Sequence, residues 1–337
     1  MKLPRLMKYS PIFIIVVVFI LPIFVNSPRY LSLFDKGFLD IVLALGMYSM
    51  WSVGCFNAAA PAFFGFGAYS TAILTMRAHW PFWLTFPFAG VIAAIIAVLI
   101  GYPGLKVKGT QFFILTLAFC ELTTWIYSSW LKVFGGAIGL TPIPQPLIQI
   151  FGLKIDFSTS LLPYYYLAFL LALATAFVYF KIHRSRLGRV LDNVGNNEDL
   201  LANTGISVFA QKQIVFVIAS FFAGLAGAIY APYMTVVSPG QFTTAQGMLI
   251  FLGVIVGGVA NPLGAIIGTV FMAVLYVLLQ KYSQYQPLIW GPILILTLLF
   301  MPFGLVGLPK MIIERIKELT GRKTAPPSIN KDDVKAV

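Results

Sequence analysis

Charged residues make up only 10% of this 337-residue chain, against roughly 25% in a soluble domain. That shortage excludes a water-soluble globular fold. No long polar stretch exists that could form an ectodomain, so a single-span receptor is excluded as well. The two cysteines, Cys55 and Cys120, each sit in an apolar run and read as packing residues, not a disulfide framework. The two histidines, His79 and His183, are far apart with no Cys or His at ligand spacing, and no metal site is expected. The chain has no G-x-x-x-x-G-K-[S/T], so it does not hold ATP through a P-loop. It also lacks H-E-x-x-H, G-x-S-x-G and paired intramembrane carboxylates. Gly65-Phe66-Gly67 is not followed by glycine at the dinucleotide-binding spacing. A polytopic membrane enzyme should cluster His, Asp or Glu near one face, and this sequence does not.

What is abundant is apolar length. Hydrophobic residues form 59% of the chain, and the mean hydropathy is +0.89. At about 20 apolar residues per membrane helix, there is room for about ten spans. Apolar length, Gly/Pro punctuation and charged stops place them at roughly 12–25, 38–55, 60–77, 84–103, 110–130, 161–180, 213–232, 246–260, 263–280 and 287–302. The first begins after Lys2, Arg5 and Lys8, as a secretory signal would. It lacks an A-x-A site and runs into Asn26-Ser27-Pro28, so it reads as an uncleaved span. Only Asn261-Pro262 separates the eighth span from the ninth, which requires a tight helical hairpin or a broken helix.

Ten spans put both termini on one side. With that side cytoplasmic, 17 of the 23 Lys and Arg residues lie inside and 6 outside. This agrees with the positive-inside rule. The net charge of +12 therefore reads as topology and not as a nucleic-acid footprint. The expected fold is an all-α polytopic membrane protein, a compact bundle of about ten transmembrane helices with N-in/C-in topology. It comprises a transmembrane domain over 1–310, an amphipathic interfacial helix over 311–323 and a disordered tail over 324–337.

Within that frame several features stand out. Gly253-x-x-x-Gly257, Gly264-x-x-x-Gly268 and Gly224 with Ala228 are small-residue patterns that let helices approach closely in lipid. Glu121 is the only acidic residue deep in an expected span. It marks either a functional site or a group that caps or hydrogen-bonds a neighbouring helix. The stretch Trp51–Tyr69 contains Asn57, Pro61, Gly65 and Gly67, which are odd for a lipid-facing helix. Irregular backbone at membrane depth is tolerated only inside protein or along a cavity. Ser238-Pro239-Gly240-Gln241 is a similar interruption, and each either lines a pathway or is a plain turn between helices. The external connection 131–160 is rich in Gly and Pro. The internal loop 181–212 is the most polar internal stretch, with Arg186, Arg189, Asn197, Glu198 and Asp199, and reads as a docking surface for a soluble partner.

These residues, in this order, resemble the permease subunits of ATP-binding-cassette (ABC) importers for branched-chain amino acids, the LivM-like branch. The resemblance spans about 40–310. It is carried by Gly54 with Ala62-Phe63-Phe64-Gly65-x-Gly67-Ala68-Tyr69, by Leu105-Lys106-x-Lys108-Gly109-x-x-Phe112, and by Thr116-Leu117-Ala118-Phe119-x-Glu121. Further matches are Gly135-Gly136-x-x-Gly139-Leu140, Ser185-Arg186-x-Gly188-Arg189, Asn197-Glu198, Gly205-Ile206, Ala223–Ala228, Ser238-Pro239 and Gly257-Gly258 with Gly264. The chain departs from the family at Asn57-Ala58-Ala59-Ala60, where Ser-Leu-Gly-His is usual, and at Asp192 and Gly195, where basic residues are usual.

The resemblance implies a transport subunit, not an enzyme, in a bacterial or archaeal inner membrane. Its implied partners are a second permease, commonly as a heterodimer, two P-loop ATPases, a periplasmic or lipid-anchored solute-binding protein and membrane lipid. No cofactor is expected on this chain, since ATP and magnesium belong to the ATPases. Pathway or gate residues would include Asn57, Pro61, Phe63, Gly65, Gly67, Glu121, Ser238 and Pro239. Coupling residues would include Arg186, Gly188, Arg189, Asn197, Glu198 and Gly205. The implied cargo is a branched-chain or related amino acid. Urea, short amides or small aromatic acids are the alternatives among related permeases. An ion-coupled secondary transporter is the rival from another class, and only Glu121 could serve its coupling.

Overall fold

The computed structural model describes residues 18–22, 28–107, 109–150, 153–157, 160–185, 188–191, 207–259 and 261–280, and short pieces at 288–289, 291–292, 295 and 304–307. Most of the expected first and tenth spans, Arg186, residues 192–206 and the interfacial helix and tail beyond 310 lie outside these residues.

Eight long helices are present among the described residues. They are α1 (Pro28–Ser52), α2 (Ala60–Arg77), α3 (Phe82–Gly104), α4 (Gly109–Ser129), α6 (Leu162–Arg184), α7 (Val208–Met234), α8 (Thr244–Gly257) and α9 (Pro262–Leu279). A short α5 (Leu131–Phe134) follows α4. Six stretches are long and apolar enough to cross a membrane: α3, α4, α6, α7, α9 and Pro239–Gly257, which contains α8. The other two carry more polar weight, α1 through Arg29, Asp35, Lys36 and Asp40, and α2 through Gly, Ser, Thr and Tyr. The second span was expected from 38, yet α1 starts ten residues earlier.

One departure from an all-helical chain lies in the 131–160 connection. Strands β1 (Leu147–Ile150) and β2 (Leu153–Asp156) pair antiparallel, with Leu147 opposite Asp156 and Ile150 opposite Leu153. Apolar residues alternate with polar ones in Ile148-Gln149-Ile150 and Leu153-Lys154-Ile155-Asp156, a period that suits a strand. Pro142, Pro144 and Pro146 keep the preceding segment from continuing as helix.

Helix α7 is the axis of the core. It packs on α2, α3 and α1, and 72% of its apolar window is buried. Without a hydrophobic drive between helices in lipid, such packing depends on close backbone approach. The sequence provides it with small residues. A Cβ at Gly67 would collide with the carbonyl of Gly224, and one at Gly227 with the carbonyl of Phe64. Gly224 also faces Ala89, Gly90 and Ala93 of α3.

A second small-residue seam joins α8 to α9. Gly257 lies against Gly264, and Gly253 against Gly268, so the two G-x-x-x-G patterns pair with each other. The turn between them is held by the Asn261 side chain, which accepts from Leu263 N–H at 3.0 Å. Pro262 fills the first helical turn, where a missing N–H does no harm. The two spans are thus a tight hairpin, and it packs on α1.

Candidate functional site

The irregular stretch between α1 and α2 covers residues 53–59. Gly54 turns the chain at φ 71°. The Asn57 side chain is buried and accepts from Ala59 N–H at 2.9 Å. Ala58 N–H donates to Thr116 Oγ1 of α4 at 3.1 Å. Two of the N–H groups in this irregular stretch thus find side-chain acceptors within the protein. Pro61 sits in the first turn of α2 and packs against Gly247 of α8.

The remaining α2 candidates point into the bundle. Phe63 is fully buried and meets Phe216 edge-on at 5.4 Å and Phe119 at 5.7 Å. Gly65 leaves room for the rings of Phe242 and Tyr127, 3.1 Å from where its Cβ would stand. Gly67 forms the seam with α7. Ser238 and Pro239 form a tight turn between α7 and α8. Ser238 N–H donates to Gln241 Oε1 at 3.1 Å, and Val237 bridges to Leu140 of the outer connection.

Phe242, which sequence reasoning missed, follows that turn and re-enters the core. It is fully buried against Phe64, Tyr69, Tyr127 and Tyr230. Its carbonyl accepts from Cys120 Sγ at 3.7 Å and from Thr124 Oγ1 at 3.3 Å. The signal for it was the aromatic placed directly after a Pro-Gly-Gln turn.

Glu121 adjoins that turn through Thr244 but is exposed where the α2 candidates are buried. It lies near the middle of the 21-residue α4, on that helix's exposed side. Thr244, the first residue of α8, donates its hydroxyl to the Glu121 carboxylate. A helix N-terminus complements a negative charge, so the structural alternative for Glu121 has a concrete partner. Its exposure on a membrane-length helix is what that partner leaves unexplained. Ile114 (61% exposed) and Trp125 (65% exposed) share its stripe.

Asp35 was also missed. It is 1% exposed, and neither carboxylate oxygen has a hydrogen-bond partner. Its signal was helical spacing, since Leu31, Asp35, Leu39 and Val42 share one buried face of α1.

At the end of α6 the chain enters the polar loop. Ser185 Oγ donates to Ile182 O at 2.6 Å and accepts from Gly188 N–H at 3.3 Å. A Cβ at Gly188 would collide with the carbonyls of Ile182 and His183. Leu191 is buried, and Arg189 between them is exposed. The other coupling candidates, Arg186, Asn197, Glu198 and Gly205, lie outside the described residues. The structure thus gathers the α2 candidates around α7, sets Glu121 on the opposite, exposed side of α4, and places the loop entry elsewhere.

Comparison with known proteins completes the picture. A family model described as "Branched-chain amino acid transport system / permease component" matches residues 31–302. The high-affinity branched-chain amino acid transport system permease protein LivM of Escherichia coli K12 is 28% identical over 289 residues, covering 80% of this chain and 68% of its own. The probable branched-chain amino acid transport permease protein LivM of Methanocaldococcus jannaschii is 23% identical over 259 residues, or 69% of this chain and 73% of its own. The permease protein LivH of Salmonella typhimurium is 29% identical over 132 residues, or 39% of this chain and 42% of its own. No solved structure matches. By the extent of the family match, the chain belongs to the permease components of branched-chain amino acid transport systems.

Proposed function

We propose that this chain forms one half of the membrane pathway of an ABC importer for branched-chain amino acids, in a bacterial or archaeal inner membrane. The family match over residues 31–302 carries this reading. Similarity to both LivM and LivH relatives supports a second permease of related fold as the partner. The pathway runs along the exposed side of α4. Glu121 faces it directly. Asn57, Pro61, Phe63, Gly65, Gly67, Ser238 and Pro239 shape the wall behind it. The membrane domain has about ten helices with both termini inside, in keeping with the 17-to-6 distribution of basic residues.

Energy comes from two P-loop ATPases bound at the 181–212 loop, and ATP and magnesium reside on them. Arg189, with Arg186, offers the cationic face. Gly188 and Leu191 key the entry of that loop to the bundle. A solute-binding protein delivers cargo to the outer face. The test is uptake by proteoliposomes holding the complete transporter. The reading expects accumulation of leucine, isoleucine and valine that requires ATP and the binding protein. Accumulation driven by a proton gradient without ATP would favour the ion-coupled alternative and contradict it.

A further inference from the structure

We propose that Glu121, together with Thr244, is the subsite that receives the ammonium group of the cargo; this rests on the permease reading above and sharpens its substrate class. Three acidic residues lie in described helices: Asp35 is buried, Asp40 is half-buried, and Glu121 is exposed. A carboxylate at mid-helix on a lipid-facing surface is costly, so such groups face bundle interiors or watery cavities. The exposed side of α4 at Glu121 therefore faces the pathway. Among the described residues no Lys or Arg forms an ion pair with this carboxylate. Its one hydrogen bond there comes from Thr244, which leaves acceptor capacity for a further donor.

The surroundings fix the kind of donor. Ile114, Ala118, Glu121 and Trp125 follow one another at helical spacing along the exposed side. The stripe is apolar except for the single carboxylate. A charge-assisted hydrogen bond to an ammonium, beside apolar surface for an aliphatic side chain, fits an amino acid with a hydrocarbon side chain. A small aromatic acid would bring a carboxylate with no ammonium to offset it, and urea would bring no positive charge.

The experiment measures L-leucine uptake by the complete, reconstituted transporter with saturating binding protein. Glu121→Gln is the decisive variant, because glutamine keeps a carbonyl acceptor for the Thr244 hydroxyl but loses the charge. The Thr244 hydroxyl bond survives it and the thermal midpoint reports any loss of charge at the α8 N-terminus, whereas ammonium recognition does not survive. The expected result is at least a tenfold fall in uptake for E121Q. Glu121→Asp should retain more uptake than E121Q. Co-purification of the ATPases should be unchanged in both, and the thermal midpoint should move only by the small loss of charge at the α8 N-terminus in E121Q. E121Q within twofold of wild type, with wild type still carrying leucine, would overturn the subsite and leave the permease reading standing. Wild-type uptake of benzoate in place of leucine would overturn both.

Discussion

Helices α7 and α4 are both apolar membrane-length helices, yet 72% of the α7 window is buried against 28% of the α4 window. The difference lies in side-chain size along the contact face. In α7 the run Ala223–Ala228 presents Gly and Ala to α2 and α3, and the backbones close on one another. Helix α4 presents bulky residues outward and touches the rest mainly through α2, α8 and the Phe242 turn. One helix is a keystone, and the other is a surface awaiting a partner across the pathway.

That contrast predicts a graded set of outcomes. The largest effect belongs to the small-residue seams. Gly227→Val forces a side chain into the Phe64 backbone and should destabilise the subunit by about 3 kcal/mol. Gly257→Val should act similarly by prising α8 from α9. Thermal unfolding in detergent checks both, and a midpoint near wild type would dissolve the distinction between core and face. An intermediate effect is expected where α4 is tied to the core. Thr116→Val leaves the buried Ala58 N–H without its acceptor and should cost about 1–3 kcal/mol. The smallest effect on the isolated subunit belongs to the exposed side. Trp125→Ala should change its stability by less than about 0.5 kcal/mol, yet lower leucine uptake by the assembled importer. Equal stability losses for Trp125→Ala and Gly227→Val would mean that α4 is as much core as α7.

Much of this arrangement was legible in the sequence. Apolar length located seven of the eight long helices closely, with residues 60–77 coinciding with α2, and caught only the second half of α1. The Asn261-Pro262 pair announced a tight hairpin or a broken helix, and the Asn261 cap and Pro262 in the first turn of α9 make it the hairpin. What escaped was whatever depends on contacts between distant segments. Nothing local says that Gly67 meets Gly224, or that Phe242 folds back between α2 and α4. Asp35 escaped because its charge ended the expected span, although its spacing with Leu31 and Leu39 already placed it on the buried face. The irregular segment around Asn57 was rightly seen as a break in helix. Its side chain serves the turn itself, which composition alone does not reveal.

The central claim is that the α4 side bearing Glu121 borders an aqueous pathway while the α2–α7 interior does not. Site-directed thiol labelling tests it most directly, since native Cys55 and Cys120 are buried. In the assembled importer, Ala118→Cys and Phe63→Cys would each be exposed to a charged, water-soluble methanethiosulfonate. The account predicts that Ala118→Cys reacts, that excess L-leucine slows its reaction, and that Phe63→Cys stays unmodified. Modification of Phe63→Cys with Ala118→Cys inert would contradict it.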